Sequence, residues 1–193
     1  MGGDDAVVHL RADELIGTAS TQTGLDDFGG DSFREGLDLY CESVNAAAEL
    51  NDIGAAVVPG AIVGALVNRL RLTQWVTGHP EVRDEQIVAP WIVVGLFRAG
   101  TTLLSYLLEK DERSRPLLRW EANDSTPPST GDHRNDPRVE AMRFASDMLD
   151  SINPRIKIVQ SEEPDGPTEC ISVLNQDFKS LTWEAMALSL IHI

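Results

Sequence analysis

The stretch VVGLFRAGTTLLSYLL carries residue types that could bind an anion. The spacing of the phosphate-binding loop GxxxxGK[ST] is met by Gly95, Gly100, Thr101 and Thr102, except that Thr101 stands where the lysine would be. Glycines let the backbone approach a ligand closely, and the first N–H groups of a helix favour negative charge. Arg98 adds a cation whose forked guanidinium suits phosphate oxygens. The pattern therefore predicts an anion-binding loop.

The position of the cation separates this loop from one that binds ATP or GTP. In those loops the lysine opens the helix and reaches the β- and γ-phosphates, whereas Arg98 lies earlier, in the bend. Such a site suits a single phosphate with a short leaving group better than a triphosphate with magnesium. No apolar strand ending in aspartate is found to hold magnesium, so no metal is predicted. A tight turn between a strand and a helix that binds no ligand is the alternative interpretation.

The loop needs a strand before it and a helix after it. Residues 86–97 are almost continuously apolar, which is typical of a strand buried on both faces of a parallel sheet, and residues 100–110 have leucines on one side of a helix. Apolar spacing and capping residues predict the other elements. These are helices over 11–20, 32–50 with a capping box formed by Ser32 and Glu35, 59–78 with Pro59 in its first turn, 136–152 with Asp136 as N-cap, and 168–178, and a short strand within 113–121.

Composition limits the classes of partner and the compartment. The 193 residues carry a formal net charge of -15, which argues against nucleic acid and anionic membrane surfaces as partners. Cys41 and Cys170 are the only cysteines, so a reducing cytoplasm is expected. The N-terminus lacks the features of a secretory signal. The longest apolar run, 55–67, contains proline and glycines, and we expect it to be too short to span a bilayer.

Several segments together resemble one family. GLFRAGTTLLSYLLEKD is similar to the GLPRTGTTLLHxLLAxD segment of bacterial sulfotransferases and, more distantly, to the PKSGTTW loop of cytosolic sulfotransferases. Four further segments resemble other parts of that family in the same order: LRADELIGTASTQTGLDDFGGDSFREGL, NRLRLTQWVTGHPEVRDEQIVAPWIVVG, RPLLRWEANDSTPPS and PTECISVLNQDF. The chain thus resembles the N-terminal part of the bacterial sulfotransferases that use 3′-phosphoadenosine-5′-phosphosulfate (PAPS).

The resemblance implies a fold and a division of the chain. The fold would be α/β, with a P-loop nucleotide-kinase-like parallel sheet that is flanked by helices and incomplete at its C-terminus. A helical N-terminal region would occupy 1–86 and the start of the core 87–187. Independently of the resemblance, residues 188–193, LSLIHI, correspond to the translated end of a sequencing adapter and are interpreted as a non-native tail; a short apolar C-terminal strand is the alternative.

The resemblance also implies a reaction and the residues that bind its donor. A sulfuryl group would pass from PAPS to a hydroxyl or amine of a small-molecule acceptor. Arg98 takes the place of the family's loop lysine or arginine, and Ala99 takes the place of a serine or threonine. The family's glycine and two threonines are Gly100, Thr101 and Thr102, and all five residues would hold the donor's 5′-phosphosulfate.

Two parts of the family's site are not found in the sequence: the segment that binds the donor's 3′-phosphate, and the histidine that acts as general base. Arg138 follows Asp136 and Pro137 and is interpreted as part of a helix cap, and His133 as a solvated loop residue. Glu163 and Glu169 are interpreted as acids of a solvated turn. No catalytic residue is predicted, and we expect little or no turnover by this chain.

Two other functions remain as alternatives. A P-loop kinase or nucleoside triphosphatase would explain the spacing of the loop, although Thr101 in the lysine position counts against it. A non-catalytic, incomplete α/β fragment would expose an unpaired strand edge and aggregate. The identity of the acceptor and the oligomeric state are not predicted.

Overall fold

The computed structural model describes residues 9–48, 50–96, 99–152, 154–155 and 162–187. The chain forms two compact units, one made of residues 1–78 with 173–193 and the other of residues 79–172. We call them the terminal unit and the central unit, and each is described by itself. The predicted division into 1–86 and 87–187 stays a prediction, and the predicted tail at 188–193 lies outside the described residues.

Helices make up most of the described part of the chain. In chain order they are α1 (Ala12–Thr23), α2 (Ser32–Ala47), α3 (Asp52–Gly78), α4 (Thr101–Leu108), α5 (Arg119–Asn123), α6 (Pro137–Ile152), α7 (Ile171–Leu174) and α8 (Leu181–Ala187), with 3-10 turns at Pro80–Asp84 and Asn175–Asp177. The first three helices and α8 belong to the terminal unit, and α4, α5 and α6 to the central unit.

The predicted α/β fold with a P-loop nucleotide-kinase-like parallel sheet is wrong, because the described residues are helical and contain no sheet. Their one strand-like pairing is an antiparallel bridge between Leu118 and Pro167. Inside the apolar run predicted as the first strand, Ala89 has φ 48° and Pro90 has no N–H to donate. The run is also exposed, with Ile92 at 78%. Continuous apolar character alone does not supply the neighbouring strand that a sheet needs.

The second predicted strand, within 113–121, is also wrong. Its last part begins α5, and Glu121 Oε2 accepts a hydrogen bond from Leu118 N at 3.2 Å at the start of that helix. The Glu121 side chain therefore accepts from a backbone N–H that would donate to a neighbouring strand if this segment were a strand.

α2 buries the face that its sequence predicts. Its apolar residues recur every three or four positions and are at most 4% exposed: Phe33, Leu37, Tyr40 and Val44. They pack with buried residues of α1 and α3, namely Leu15, Ala19, Ile62, Leu66 and Leu70. The amphipathic character predicted for α2, and the buried face predicted for α3, are confirmed.

The starts of α2 and α3 differ from the prediction. Ser32 is the first residue of α2 rather than its cap, and its hydroxyl donates to Asp177 Oδ1 at 2.9 Å, so the predicted capping box is wrong. α3 begins earlier than predicted because Asn51 caps it, its side-chain oxygen accepting from Gly54 N at 2.9 Å. Pro59 therefore lies inside the helix rather than in its first turn.

The segment from Asn175 to Ala187 returns to pack on the first helices of the terminal unit. Trp183 is 3% exposed, and its ring centroid lies 5.2 Å from that of Tyr40 and 4.8 Å from that of Phe178. Its indole N–H donates to Asn175 O at 3.0 Å. The helix predicted over 168–178 is found only in part, as α7 and the 3-10 turn after it.

Two residues of the first helices hold this returning segment. A Cβ on Gly36 would lie 2.7 Å from the carbonyl oxygen of Asp177, so only glycine allows the backbones to approach this closely. The Arg69 guanidinium donates to Asp177 Oδ1 at 2.6 Å and to Phe28 O at 2.8 Å. It also lies 4.9 Å above the centroid of the Phe33 ring.

α3 is long and apolar enough to cross a membrane by length and composition, since it has 27 residues and contains an 18-residue stretch with a mean hydropathy of 1.7. The prediction that 55–67 is too short considered only part of this helix. A core helix of a soluble protein meets the same criterion, and Ile62 and Leu66 of α3 are 0% exposed in the terminal unit. The absence of a membrane span stays a prediction.

The core of the central unit centres on Trp120. Its side chain is 1% exposed and packs with Leu118 and Val139, and the Arg138 guanidinium lies 4.3 Å from its ring centroid. Asp136 Oδ1 accepts from Arg138 N at 3.0 Å, which confirms Asp136 as the N-cap of α6. Arg138 also donates to both oxygens of that carboxylate, so its interpretation as part of a helix cap agrees with these contacts.

Acid is expected to weaken the central unit through Asp136. The hydrogen bond from the Arg138 side chain lowers the pKa of Asp136 from 3.8 to about 2. The stabilisation is therefore present above the unfolded-state pKa and is lost as the pH falls from about 4 to about 2. At about 1.4 kcal/mol per pKa unit, the loss is on the order of 2 kcal/mol.

Urea unfolding across this pH range tests the contribution of Asp136. Asp136→Asn keeps a capping oxygen but should remove this part of the acid dependence. Asp147→Asn, which removes a charge from an exposed position of α6, is the matched control. An acid dependence in Asp136→Asn equal to that of the unmodified chain would contradict the assignment.

Candidate anion-binding loop

The backbone closes the loop just before α4. Ala99 N donates to Leu96 O at 3.2 Å. Gly100 then has φ 85° and ψ 17°, the left-handed region that glycine adopts without strain, and it is the N-cap residue of α4. Arg98, the predicted cation, lies with Phe97 outside the described residues. The need for glycine at position 100 thus follows from a backbone conformation.

Gly95 lies against the first residue of α4. A Cβ at this position would lie 2.8 Å from Thr101 Cγ2 and 3.5 Å from the Ala99 Cβ. A larger side chain at Gly95 would therefore require the Thr101 side chain to move.

The first turn of α4 presents donors to solvent. Gly100 O accepts from Leu104 N at 3.1 Å, which leaves the N–H groups of the first helical residues without a partner inside the helix. Within the described residues no hydrogen bond engages the hydroxyl of Thr101 or Thr102, although Ser105 Oγ donates to Thr101 O at 2.8 Å. The helix dipole adds typically 0.3–1 kcal/mol for an anion at such an exposed end. The arrangement can bind a small oxyanion.

A tyrosine connects α4 to the turn at 162–168. The phenol oxygen of Tyr106 accepts from Glu163 N at 2.9 Å. A Cβ on Gly166 would lie 2.5 Å from that oxygen and 3.0 Å from Tyr106 Cζ. Burial raises the pKa of Tyr106, while the hydrogen bond from Glu163 N lowers it. The sequence interpretation missed this contact, because nothing in the local pattern relates position 106 to position 166.

The structure also shows how far the other polar residues considered from the sequence are exposed. His133 is half-buried rather than solvated and lines a cleft of about 130 Å³ with Arg134 and Glu109. Glu163 and Glu169 are exposed, as predicted for a turn. Among the described residues, no group of three or more His, Cys, Asp or Glu side chains could hold a metal ion.

Comparison with known protein families decides the identity at family level. The Sulfotransferase family matches residues 90–189, which include the loop, α4 and the turn at 162–168. The chain belongs to the sulfotransferase family. The resemblance recognised from the motifs is thereby confirmed.

Two solved structures of sulfotransferases are similar to this family member over nearly its whole length. Sulfotransferase STF9 from Mycobacterium avium is 36% identical with a TM-score of 0.80, and the match covers 96% of this chain and 47% of that one. Sulfotransferase STF1 from Mycobacterium tuberculosis H37Rv is 30% identical with a TM-score of 0.80, and the match covers 94% of this chain and 51% of that one. This sulfotransferase-family chain therefore spans about half the length of these relatives. No curated protein matches it.

Proposed function

We propose that this chain is the donor-binding part of a sulfotransferase that moves a sulfuryl group from PAPS to a hydroxyl or amine of a small-molecule acceptor. The observation that carries the proposal is the loop at the start of α4, in a chain that belongs to the sulfotransferase family. We place the protein in the cytoplasm, without a nucleic-acid or membrane partner, on the basis of its charge and cysteines.

The described part of the loop fits the 5′-phosphosulfate end of such a donor. The absence of a side chain at Gly95 lets the Thr101 side chain lie against the backbone there, and Gly100 turns the backbone into α4. The hydroxyls of Thr101 and Thr102 can donate to oxygens placed at the helix start, and the sequence places Arg98 in the bend before it. Each charge-assisted hydrogen bond is worth about 1.5–3 kcal/mol, so a few together give micromolar affinity.

In the proposed reaction the loop stabilises the leaving group. PAPS supplies an activated sulfuryl group. The acceptor oxygen or nitrogen forms a bond to sulfur, the bond from sulfur to the bridging phosphate oxygen breaks, and the acceptor proton passes to a base. Arg98, Thr101 and Thr102 would hold the oxygen on which negative charge develops, which is the main catalytic device of such a site. No described residue is assigned as the base, and we expect no turnover by this chain alone.

The kinase or nucleoside triphosphatase alternative is weaker. It depends on a lysine that contacts the β- and γ-phosphates, and this chain has Thr101 at that position. Titration calorimetry separates the two functions: binding of 3′-phosphoadenosine-5′-phosphate (PAP) or PAPS is expected, and tight binding of magnesium-ATP with no response to PAP would reverse the assignment.

Replacing Arg98 tests the predicted cation. Arg98→Ala should raise the Kd for PAP by about 10- to 100-fold, because it removes a charge-assisted hydrogen bond to phosphate. Arg83→Ala removes a charge from an exposed position of the 3-10 turn at Pro80–Asp84 and should leave the Kd unchanged. An equal Kd for Arg98→Ala and the unmodified chain would remove Arg98 from the site, and sulfate transfer from PAPS by this chain would refute the expected inactivity.

A further inference from the structure

α4 lacks the usual means of holding a short helix in place. It has eight residues, which is too few for a helix to be stable in water without tertiary contacts. Three of its four leucines supply few such contacts, since Leu103, Leu104 and Leu107 are 66%, 43% and 60% exposed, whereas Leu108 is half-buried. The position of the donor loop at its N-terminus therefore depends also on other side chains of the helix.

The first of these side chains is Tyr106. Its phenol oxygen accepts from Glu163 N at 2.9 Å, and its ring lies so close to Gly166 that a Cβ there would be 3.1 Å from Tyr106 Cε1. Tyr106 is thus fixed by a hydrogen bond on one side and by backbone contact on another.

The second side chain is Glu109, at the C-terminal end of α4. It is 8% exposed and forms an ion pair with Arg134, whose other nitrogen donates to Asp165 Oδ2 at 3.2 Å. Both Tyr106 and Glu109 therefore connect α4 to residues of one turn, at 163–166.

This turn is itself held by backbone hydrogen bonds. Arg119 N donates to Gly166 O at 3.0 Å, Trp120 N to Pro164 O at 3.2 Å, and Thr168 N to Leu117 O at 2.9 Å. Trp120 is the buried centre of the central unit. A continuous set of contacts thus runs from that core through the turn to α4.

We infer that Tyr106, seated against Gly166, is a positioning residue that holds α4 and with it the loop at Ala99 and Gly100. Tyr106 does not touch the donor in this assignment; it acts by holding the helix whose first N–H groups face the anion. The expected effect of Tyr106 on donor affinity rests on the proposed function. Its expected effect on the hydrogen exchange of the loop does not.

Hydrogen exchange of the intact chain tests the inference without any ligand. Tyr106→Phe removes only the phenol oxygen, and the amides of Ala99 and Leu104, which bond to Leu96 O and Gly100 O, should exchange about tenfold faster. Val139→Ala shortens a side chain of the Trp120 core and is the control for a general loss of stability; it should accelerate these two amides less than Tyr106→Phe does. Unchanged exchange in Tyr106→Phe, or an equal acceleration in Val139→Ala, overturns the inference.

A double-mutant cycle checks that the contact with Gly166 is the cause. Gly166→Ala should accelerate exchange at the same two amides, because its Cβ would displace Tyr106. When Tyr106 is already replaced by alanine, Gly166→Ala should cause no further acceleration of exchange at these two amides. Additive effects of the two substitutions would contradict the assignment.

PAP titration then separates this inference from the proposed function. If the unmodified chain binds PAP, the Kd should rise about fivefold or more in Tyr106→Phe and rise less in Val139→Ala; a constant Kd in Tyr106→Phe overturns the positioning role. If the unmodified chain binds no PAP, the proposed function fails, and the exchange of Ala99 and Leu104 alone decides whether Tyr106 positions the loop.

Discussion

Gly36→Val is expected to lower the free energy of unfolding of the terminal unit by about 3 kcal/mol, the upper end for overpacking a well-packed core. The reason is the 2.7 Å that would separate its Cβ from the Asp177 carbonyl oxygen, and 2.9 Å from that of Phe178. Backbone atoms cannot move aside as a flexible side chain does, so the returning segment must detach. Urea unfolding followed by Trp183 fluorescence measures the loss.

The matched control is the same substitution in α1. A Cβ on Gly17 would meet nothing within 4 Å, and both glycines lie inside helices, so the change in helix propensity is similar. Gly17→Val should therefore change the free energy of unfolding by less than about 0.5 kcal/mol. Equal urea midpoints for the two variants would show that Gly36 is not required for the approach of the segment at Asp177.

Trp120→Ala is expected to destabilise the central unit by about 3–5 kcal/mol, the usual cost of removing a large buried aromatic side chain. Trp120 is 1% exposed, and its ring also carries the Arg138 guanidinium at 4.3 Å. The substitution therefore leaves a cavity and removes the face on which Arg138 is stacked. Thermal and urea unfolding followed by far-ultraviolet circular dichroism give the change.

Two tryptophan variants control for this result. Trp91 is 67% exposed in the same unit, so Trp91→Ala should cost less than about 0.5 kcal/mol. Trp120→Phe should cost less than Trp120→Ala, because it keeps most of the aromatic surface and removes a buried indole N–H that has no hydrogen-bond partner among the described residues. A loss below about 1 kcal/mol in Trp120→Ala would place Trp120 outside the core.

The sequence predicted those features that are set by residues close together in the chain. The buried face of α2 follows from apolar residues three and four apart, and the N-cap at Asp136 from one side chain and the amide two residues later. Glycine at position 100 was recognised from spacing, and its φ of 85° gives the reason.

Features that depend on distant partners could not be predicted in this way. Composition predicts a strand over 86–97, but a strand requires a neighbour, and Ala89 and Pro90 interrupt the extended backbone. The return of Trp183 to Tyr40 and the seating of Tyr106 on Gly166 join residues with no shared local pattern. The loop residues of the candidate site therefore stay a prediction from local spacing, whereas the contacts of Tyr106 with the turn at 162–168 could not be predicted.

The terminal unit is assembled from two separate stretches of chain, and this sets an order of events during synthesis. Ser32 and Asp177, which are hydrogen-bonded, are 145 residues apart, and the whole central unit is translated between the two stretches. At about 5–20 residues per second, that interval lasts on the order of 5–20 s. During it the surface of α2 around Gly36 and Tyr40, which the returning segment later covers, stays open to solvent. Emergence of Trp183 from the ribosome ends that exposure, so the helices made first complete their folding last.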